Sequence, residues 1–296
     1  MSETSTHRTV IISPVRDEER TLERTIYCME RQTHPPVRWV VVDDGSSDGT
    51  PDILASAQER IPWLRVVQRP DRGFRKLGGG VIDAFWDGLD TVDIDYDYVA
   101  KMDVDLEFSD RYLEKIFGYF DADPNLAAAS GKVFRPEGGG FVEEFLIDEM
   151  VAGQFKLYRR ACFEKIGGFV REIMWDGIDF HKSRMSGYRT RSIDDDELRI
   201  IHLRLMGSSD RGIYEGRLRW GRGQYFMGTS LPYIVASGIF RMREKPYVVG
   251  GGLIVAGYLE AALKRHRRFD DPDFRRGLRE WQWERLRGVA RGKGAR

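Results

Sequence analysis

Short apolar runs alternate with amphipathic stretches through the first 135 residues, and this alternation limits the possible folds more than any other feature. "VIISPV" (10–15), "WVVVDD" (39–44), "LRVVQ" (64–68), "YDYVAKMDVD" (96–105) and "LAAASGKVF" (126–134) read as strands. Continuous apolar runs of this length are typical of strands covered on both faces. Between them lie helical patterns, "EERTLERTIYCMERQ", "TPDILASAQERI", "GGGVIDAFWDGLD" and "DRYLEKIFGYFDAD". In the second, Thr50 is the expected N-cap and Pro51 the first helical residue. The pattern predicts an α/β fold with a mostly parallel central sheet and helices on both faces. Ligands of such sheets bind at the carboxyl ends of the strands.

Acids gather at those ends. Asp43 and Asp44 close one strand before the turn "GSSDGT", and Asp103, Asp105 and Glu107 close another. Alternate residues of a strand share a face, so the three carboxylates of "MDVDLEF" would repel one another without a cation or ordered ligand among them. Oxygen donors there suit Mg²⁺ or Mn²⁺ bridging phosphates. A carboxylate at Asp44 can accept hydrogen bonds from the N–H groups of a nucleobase.

Taken in order, "VIISPVRDEE", "VVDDGSSDGT", "KMDVDLEF", "GQFKLYRRACFEKIGGF" and "WDGIDFHKSRMSGYR" resemble glycosyltransferase family 2, over roughly residues 8–195. The resemblance implies the GT-A fold, a divalent cation (Mn²⁺ or Mg²⁺) and transfer with inversion. It also implies a nucleotide-diphosphate-sugar donor: a UDP-sugar first, with GDP- and dTDP-sugars as alternatives. The acceptor is expected to be a hydroxyl of a glycan or lipid-linked molecule, in surface polysaccharide or cell-wall glycan synthesis. Residues 1–200 would form the catalytic domain, with donor binding in 8–135 and the acceptor region in 136–200. Residues 201–296 would form a mainly helical extension.

The same resemblance assigns individual residues. Pro14, Arg16 and Glu18 fall on the loop that covers the nucleoside, where Arg16 and Asp17 replace an aromatic residue and an asparagine. Asp44 falls on the base-recognising acid, Asp105 on the metal ligand, and Asp103 beside the ribose or the metal. Arg72, Arg75 and Lys76 of "RGFRKLGGG" fall beside the diphosphate. His202 is a candidate to complete the metal shell, or a structural histidine. Counting back eleven residues from Gly187 places Asp176 on the catalytic base, with Trp175 in place of the usual glutamate and Asp179 as a second acid able to enter the site. The alternative for Asp176 and Asp179 is helix capping and a first-turn acid. "RLRWGRGQ" lacks the glutamine of processive synthases, so processivity is not inferred.

Two other readings compete. A sugar-phosphate nucleotidyltransferase would carry a glycine-rich basic loop after the first strand, and "SPVRDEERT" has no glycine. A non-catalytic nucleotide-sugar-binding scaffold would bind donor without turnover.

Composition bears on location. Only Cys28 and Cys162 occur, which excludes a disulfide framework or a zinc motif. The start "MSETSTHRTV" has no secretory pattern, so a cytoplasmic protein is expected. Nothing points to nucleic acid as a partner. The overall charge of zero conceals a net +7 from Lys264 to Arg296 and −7 in the remainder. Two uncharged segments, 224–240 and 246–259, precede this basic tail, and Gly250 to Gly252 are expected to weaken helix in the second. Either a packed C-terminal subdomain or a peripheral contact with the inner face of the cell membrane accounts for them.

Overall fold

Five expected strands become part of two sheets in the computed structural model, which describes residues 7–71, 79–144, 146–203, 212–243 and 246–290. In chain order come β1 (Thr9–Val15), α1 (Leu22–Glu30), β2 (Arg38–Asp43), α2 (Thr50–Arg60), β3 (Leu64–Gln68), α3 (Gly79–Leu89), β4 (Tyr98–Met102), β5 (Leu106–Phe108) and α4 (Tyr112–Ala122). There follow β6 (Leu126–Gly131), β7 (Val133–Glu137), β8 (Gly140–Glu143), β9 (Phe155–Arg159), α5 (Arg160–Lys165), α6 (Trp175–Met185), β10 (Arg189–Ile193) and β11 (Ile200–His202). The larger sheet has the order β10-β6-β9-β4-β1-β2-β3. Its neighbours are parallel except around β9, which runs antiparallel between β4 and β6.

Period-two alternation distributes the core to both faces of this sheet. Val10, Ile12, Val40, Val42 and Val99 pack on one side with Phe85 of α3 and Phe163 of α5. Ile11, Trp39, Val41 and Ala100 pack on the other with residues of α1, α2 and α4. The central strands therefore carry apolar residues on both faces, as their sequences require.

Two local expectations are corrected. The strand "YDYVAKMDVD" does not run through its acids: it breaks after Met102, and the chain crosses to a smaller sheet of order β5-β11-β7-β8. Asp103 and Asp105 thus occupy the turn between two sheets rather than one face of a strand. In α2, Gly49 is the N-cap and Thr50 is already helical. The Thr50 hydroxyl instead accepts the Glu18 N–H at 2.8 Å, which ties the first loop to the second.

The chain divides into two compact units, Met1–Arg204 and Leu205–Arg296. β11 belongs to the first, so His202 sits with the sheets rather than with the extension. The second unit carries α7 (Gly212–Met227), α8 (Leu231–Arg241), α9 (Val249–Leu263) and α10 (Pro272–Ala290). Here Gly250 to Gly252 lie within a regular helix, contrary to the weakening expected from propensity. Close packing is the reason: a Cβ on Gly251 would stand 2.1 Å from the Gly238 carbonyl oxygen of α8, and one on Gly257 2.2 Å from that of Leu218 in α7. Backbone-to-backbone contact offsets a glycine penalty of about 1 kcal/mol per residue.

Candidate active site

The loops after β1, β2 and β3 are bound to one another. Arg16 donates from Nη1 to the Asp44 carbonyl and from Nη2 to Asp71 Oδ1, each at 2.8 Å. Asp17 takes a left-handed backbone (φ 54°), which aspartate tolerates, and its Oδ1 accepts the Ser47 N–H at 2.8 Å. The turn after β2 needs glycine at Gly45 (φ +78°), where a Cβ would meet Asp71 Cα at 2.6 Å. Asp43 caps the turn, accepting the Ser46 hydroxyl at 2.6 Å.

Within this rim, Asp44 Oδ1 accepts from Arg69 Nη1 at 2.7 Å, and Arg69 also reaches Asp87 at 2.9 Å. The carboxylate is thereby oriented at the strand end. Pro14 lies in β1 opposite Val42 and is half-buried. Glu18 turns inward: it is 5 % exposed, its carboxylate accepts from the Thr21 hydroxyl, and its carbonyl accepts the Leu22 N–H that opens α1. Arg72, Arg75 and Lys76 lie outside the described residues.

At the break after β4, Asp103 N–H donates to the Gln154 carbonyl at 2.7 Å. Lys101 Nζ contacts Asp103 Oδ1 and donates to the Gly153 carbonyl at 2.9 Å. Loss of solvent and the neighbouring Asp105 raise the Asp103 pKa, while Lys101 pulls it down. β11 pairs antiparallel with β5, His202 opposite Leu106, and this pairing delivers the imidazole to the turn. His202 Nε2 is 3.3 Å from Asp105 Oδ2, and its Nδ1 is 3.3 Å from Glu144 Oε1. Burial alone would lower the His202 pKa, but the hydrogen bonds to Asp105 and Glu144 override it and raise it to about 9.

No three acidic, histidine or cysteine side chains close into a metal cage among the described residues. The donor set nevertheless fits a Mg²⁺ or Mn²⁺ ion that keeps positions for phosphate and water. Two ligands of one octahedral ion with bonds of about 2.1 Å lie about 3 Å apart, close to the Asp105–His202 separation. The charge also fits, because two carboxylates that favour a proton on His202 favour a cation there, and an ion bound through the imidazole would displace that proton.

The third part of the site is the start of α6. Met174, at its N-cap, is left-handed (φ 63°), and Asp176 is the second helical residue, exposed to solvent. Asp179 faces the interior and is 1 % exposed. Its Oδ2 accepts from Lys156 Nζ and from the Tyr158 hydroxyl, both at 2.8 Å. Burial raises its pKa to about 6 against the pull of Lys156, so it is ionised at neutral pH. The two acids expected to share the site are thus separated: Asp176 meets solvent, and Asp179 is sealed in an ion pair.

Lys156 and Lys101 are direct partners across β4 and β9. Their Nζ atoms lie 5.1 Å and 5.5 Å from the Trp175 ring centroid, within cation–π range. A methyl on Gly153 would touch that ring at 3.5 Å and stand 3.8 Å from Asp176 Oδ2. Gly153 therefore lies between the Lys101–Asp103 contact and Asp176. Reading the sequence missed Lys101, Glu144, Gln154 and Lys156. A lysine inside an apolar strand, as in "YVAKM" and "FKLYR", is the signal that marks two of them.

Comparison with known proteins bears on the family and the fold. No curated protein matches the chain in sequence at a significant level. Solved structures do match in fold. The mannosyltransferase PcManGT from Pyrobaculum calidifontis, in complex with GDP-Man and Mn²⁺, is 19 % identical (TM-score 0.54, covering 86 % of this chain and 75 % of that one). S. aureus TarS 1-349 in complex with UDP-GlcNAc is 16 % identical (TM-score 0.53, covering 87 % and 73 %). GalNAc-T7 with UDP, GalNAc and Mn²⁺ is 13 % identical (TM-score 0.61, covering 99 % and 59 %). At these identities the likeness establishes the GT-A fold. The profile described as Glycosyl transferase family 2 matches residues 10–174, more than half of the sequence and the whole span from β1 to the start of α6, so the chain belongs to glycosyl transferase family 2.

Proposed function

We propose that the protein is an inverting, metal-dependent glycosyltransferase that moves a sugar from a nucleoside diphosphate to a hydroxyl of a glycan or lipid-linked acceptor. Its place would be in surface polysaccharide or cell-wall glycan synthesis. The observation that carries this reading is an exposed carboxylate, Asp176, set across Gly153 from the Lys101–Asp103 pair. A group able to take an acceptor proton thus stands beside acids able to serve a donor. The presence of GDP-Man and UDP-GlcNAc in the neighbours PcManGT and TarS supports a nucleotide sugar as that donor.

In this reading Pro14, Arg16 and Asp44 hold the nucleoside at the ends of β1 and β2. Asp103, Asp105 and His202 would hold Mg²⁺ or Mn²⁺, which when bound neutralises charge on the departing diphosphate. Asp176 takes the proton of the acceptor hydroxyl as its oxygen attacks the anomeric carbon. The new carbon–oxygen bond forms on the face opposite the bond to diphosphate, which breaks, so configuration inverts. Asp179 is a positioning residue: with Lys156, whose Nζ also lies 3.4 Å from the Asp176 carbonyl, it fixes the first turn of α6.

The test is a thermal-shift and calorimetric screen of UDP, GDP, dTDP and CMP, each with Mn²⁺, Mg²⁺ or chelator. Stabilisation by one nucleoside diphosphate only with metal is expected, a UDP response first. No response to any of them overturns the reading.

A further inference from the structure

Exposed apolar side chains are distributed unevenly in this protein. Of the sixteen large hydrophobic residues exposed among the described residues, twelve belong to the smaller unit, although it has less than half the length of the larger. Six of them form a pattern. Leu231, Val235 and Ile239 recur every four residues and so lie along one face of α8, while Ile234 and Gly238 on the adjoining face are buried. Tyr247, Val248 and Val249 follow where the chain enters α9, next to the C-terminal end of α8, because Gly251 packs against Gly238. These six are 38 % to 63 % exposed.

Val248 adds a backbone argument. It is β-branched yet has φ 61° and ψ −56°, a combination that costs such a residue of order 1–3 kcal/mol. The turn holds an apolar side chain outward at a position where glycine would relieve the strain.

The surrounding charge is mostly positive, although Arg222 is paired with Glu215 and Glu260. From Gly216 to Leu259 the sequence has six Arg or Lys and a single acid, Glu244, in contrast to the net acidity of the chain before Lys264. Arg243 lies over the Phe240 ring at 4.8 Å and Arg241 over the Trp220 ring at 4.9 Å, each pairing an apolar stem with a charged head. Apolar side chains with arginines beside them at the C-terminal end of α8 match the boundary of a bilayer with anionic head groups. No helix among the described residues is long and apolar enough to cross a membrane, so the match is to the interface and not the interior.

We infer that the exposed face of α8 and the turn into α9 form a docking surface for anionic lipid bilayers, with Ile239 and Val248 inserting and Arg241 and Arg243 meeting the head groups. Binding to lipid is read without nucleotide or metal, so this inference and the proposed glycosyl transfer stand or fall separately.

The experiment is flotation of the full chain with vesicles of phosphatidylcholine, alone or mixed with phosphatidylglycerol, at low and high salt. Wild-type protein is expected to float with the mixed vesicles, weakly or not at all with phosphatidylcholine, and less as salt rises. Ile239→Ser/Val248→Gly should lower partitioning about tenfold or more while circular dichroism remains that of the wild type. Arg243→Glu, on an exposed side chain, should weaken binding at low salt and converge with wild type at high salt. This second variant decides the matter where the first fails to fold. Absence of flotation on anionic vesicles overturns the inference, as does unchanged flotation of both variants. A wild-type dimer that the double variant dissociates, with no vesicle binding by either, would assign the face to a second copy of the chain instead.

Discussion

Replacing Lys156 by methionine tests whether Asp179 acts by holding α6 rather than by entering the reaction. Lys156 and Asp179 are each 1 % exposed, so water screens neither charge. The variant leaves a carboxylate with the Tyr158 hydroxyl and the Phe180 N–H as donors but no cation. Removing one partner of a buried pair costs about 3–5 kcal/mol. For a unit of this size, where 1 kcal/mol moves Tm by about 2–4 °C, Lys156→Met should melt roughly 6–20 °C below wild type. Lys156→Met/Asp179→Leu, which removes both charges, should recover most of that loss. Differential scanning calorimetry reads both. Asp176→Asn supplies the contrast: its side chain is exposed, so stability should change by no more than about 0.5 kcal/mol, while transfer falls about a hundredfold or more. A Lys156→Met protein melting within about 2 °C of wild type would refute the positioning role, and an Asp176→Asn enzyme with full turnover would refute the base.

Four further outcomes are expected. Asp105→Ala should abolish the Mn²⁺-dependent thermal shift given by the best nucleoside diphosphate; a retained shift places the metal elsewhere. In chelated protein, the His202 pKa of about 9 lies above the ordinary imidazole value of 6.5, so its contribution is complete below pH 6.5 and lost as pH rises through 9. Wild type should therefore lose up to about 3 kcal/mol more than His202→Gln across that window in urea titrations, and parallel curves would contradict the Asp105–His202–Glu144 contacts. In the smaller unit, Gly257→Val should destabilise by about 1–3 kcal/mol or more through its clash with the Leu218 carbonyl, whereas Gly252→Ala, with open space around it, should stabilise by about 0.5–1 kcal/mol. Equal effects of the two in calorimetry would contradict the packing of α7 on α9. Trp175→Glu should lower Tm by placing a third acid beside two lysines already matched by Asp103 and Asp179, and an unchanged Tm would mean that the indole is not balanced between them.

Much of the larger sheet was legible because strands buried on both faces must be largely apolar, as β1 and β2 are. β9 was not legible. "FKLYR" is short and carries two charges, and its place between β6 and β4 depends on partners about thirty and about sixty residues earlier in the chain. The same non-local pairing hid the delivery of His202, since only the β11–β5 register brings it to Asp105. The type and spacing of Asp103 and Asp105 mark them in the sequence, but the two do not share a strand face. The turn between the sheets gathers them instead. Thr50 was misplaced by one residue because capping rules do not include a competing donor such as the Glu18 N–H.

The substitution of Trp175 for the family's glutamate gains a physical reason from the two lysines. Lys101 and Lys156 are buried side by side across β4 and β9, an arrangement that would be repulsive without compensation. Asp103 answers the first and Asp179 the second, which leaves the group neutral in charge. A glutamate at the partly buried position 175 would add an unmatched charge, or draw a lysine away from its acid and release either Asp103 or the first turn of α6. The indole offers both ammonium groups a π face and adds no charge. Phe169 fixes the ring from another side, at 4.9 Å between centroids. The departure from the family pattern and the lysines in the strands are therefore one feature: Asp103 and Asp179 are each paired with a buried lysine, and the Trp175 ring lies within cation–π range of both lysines.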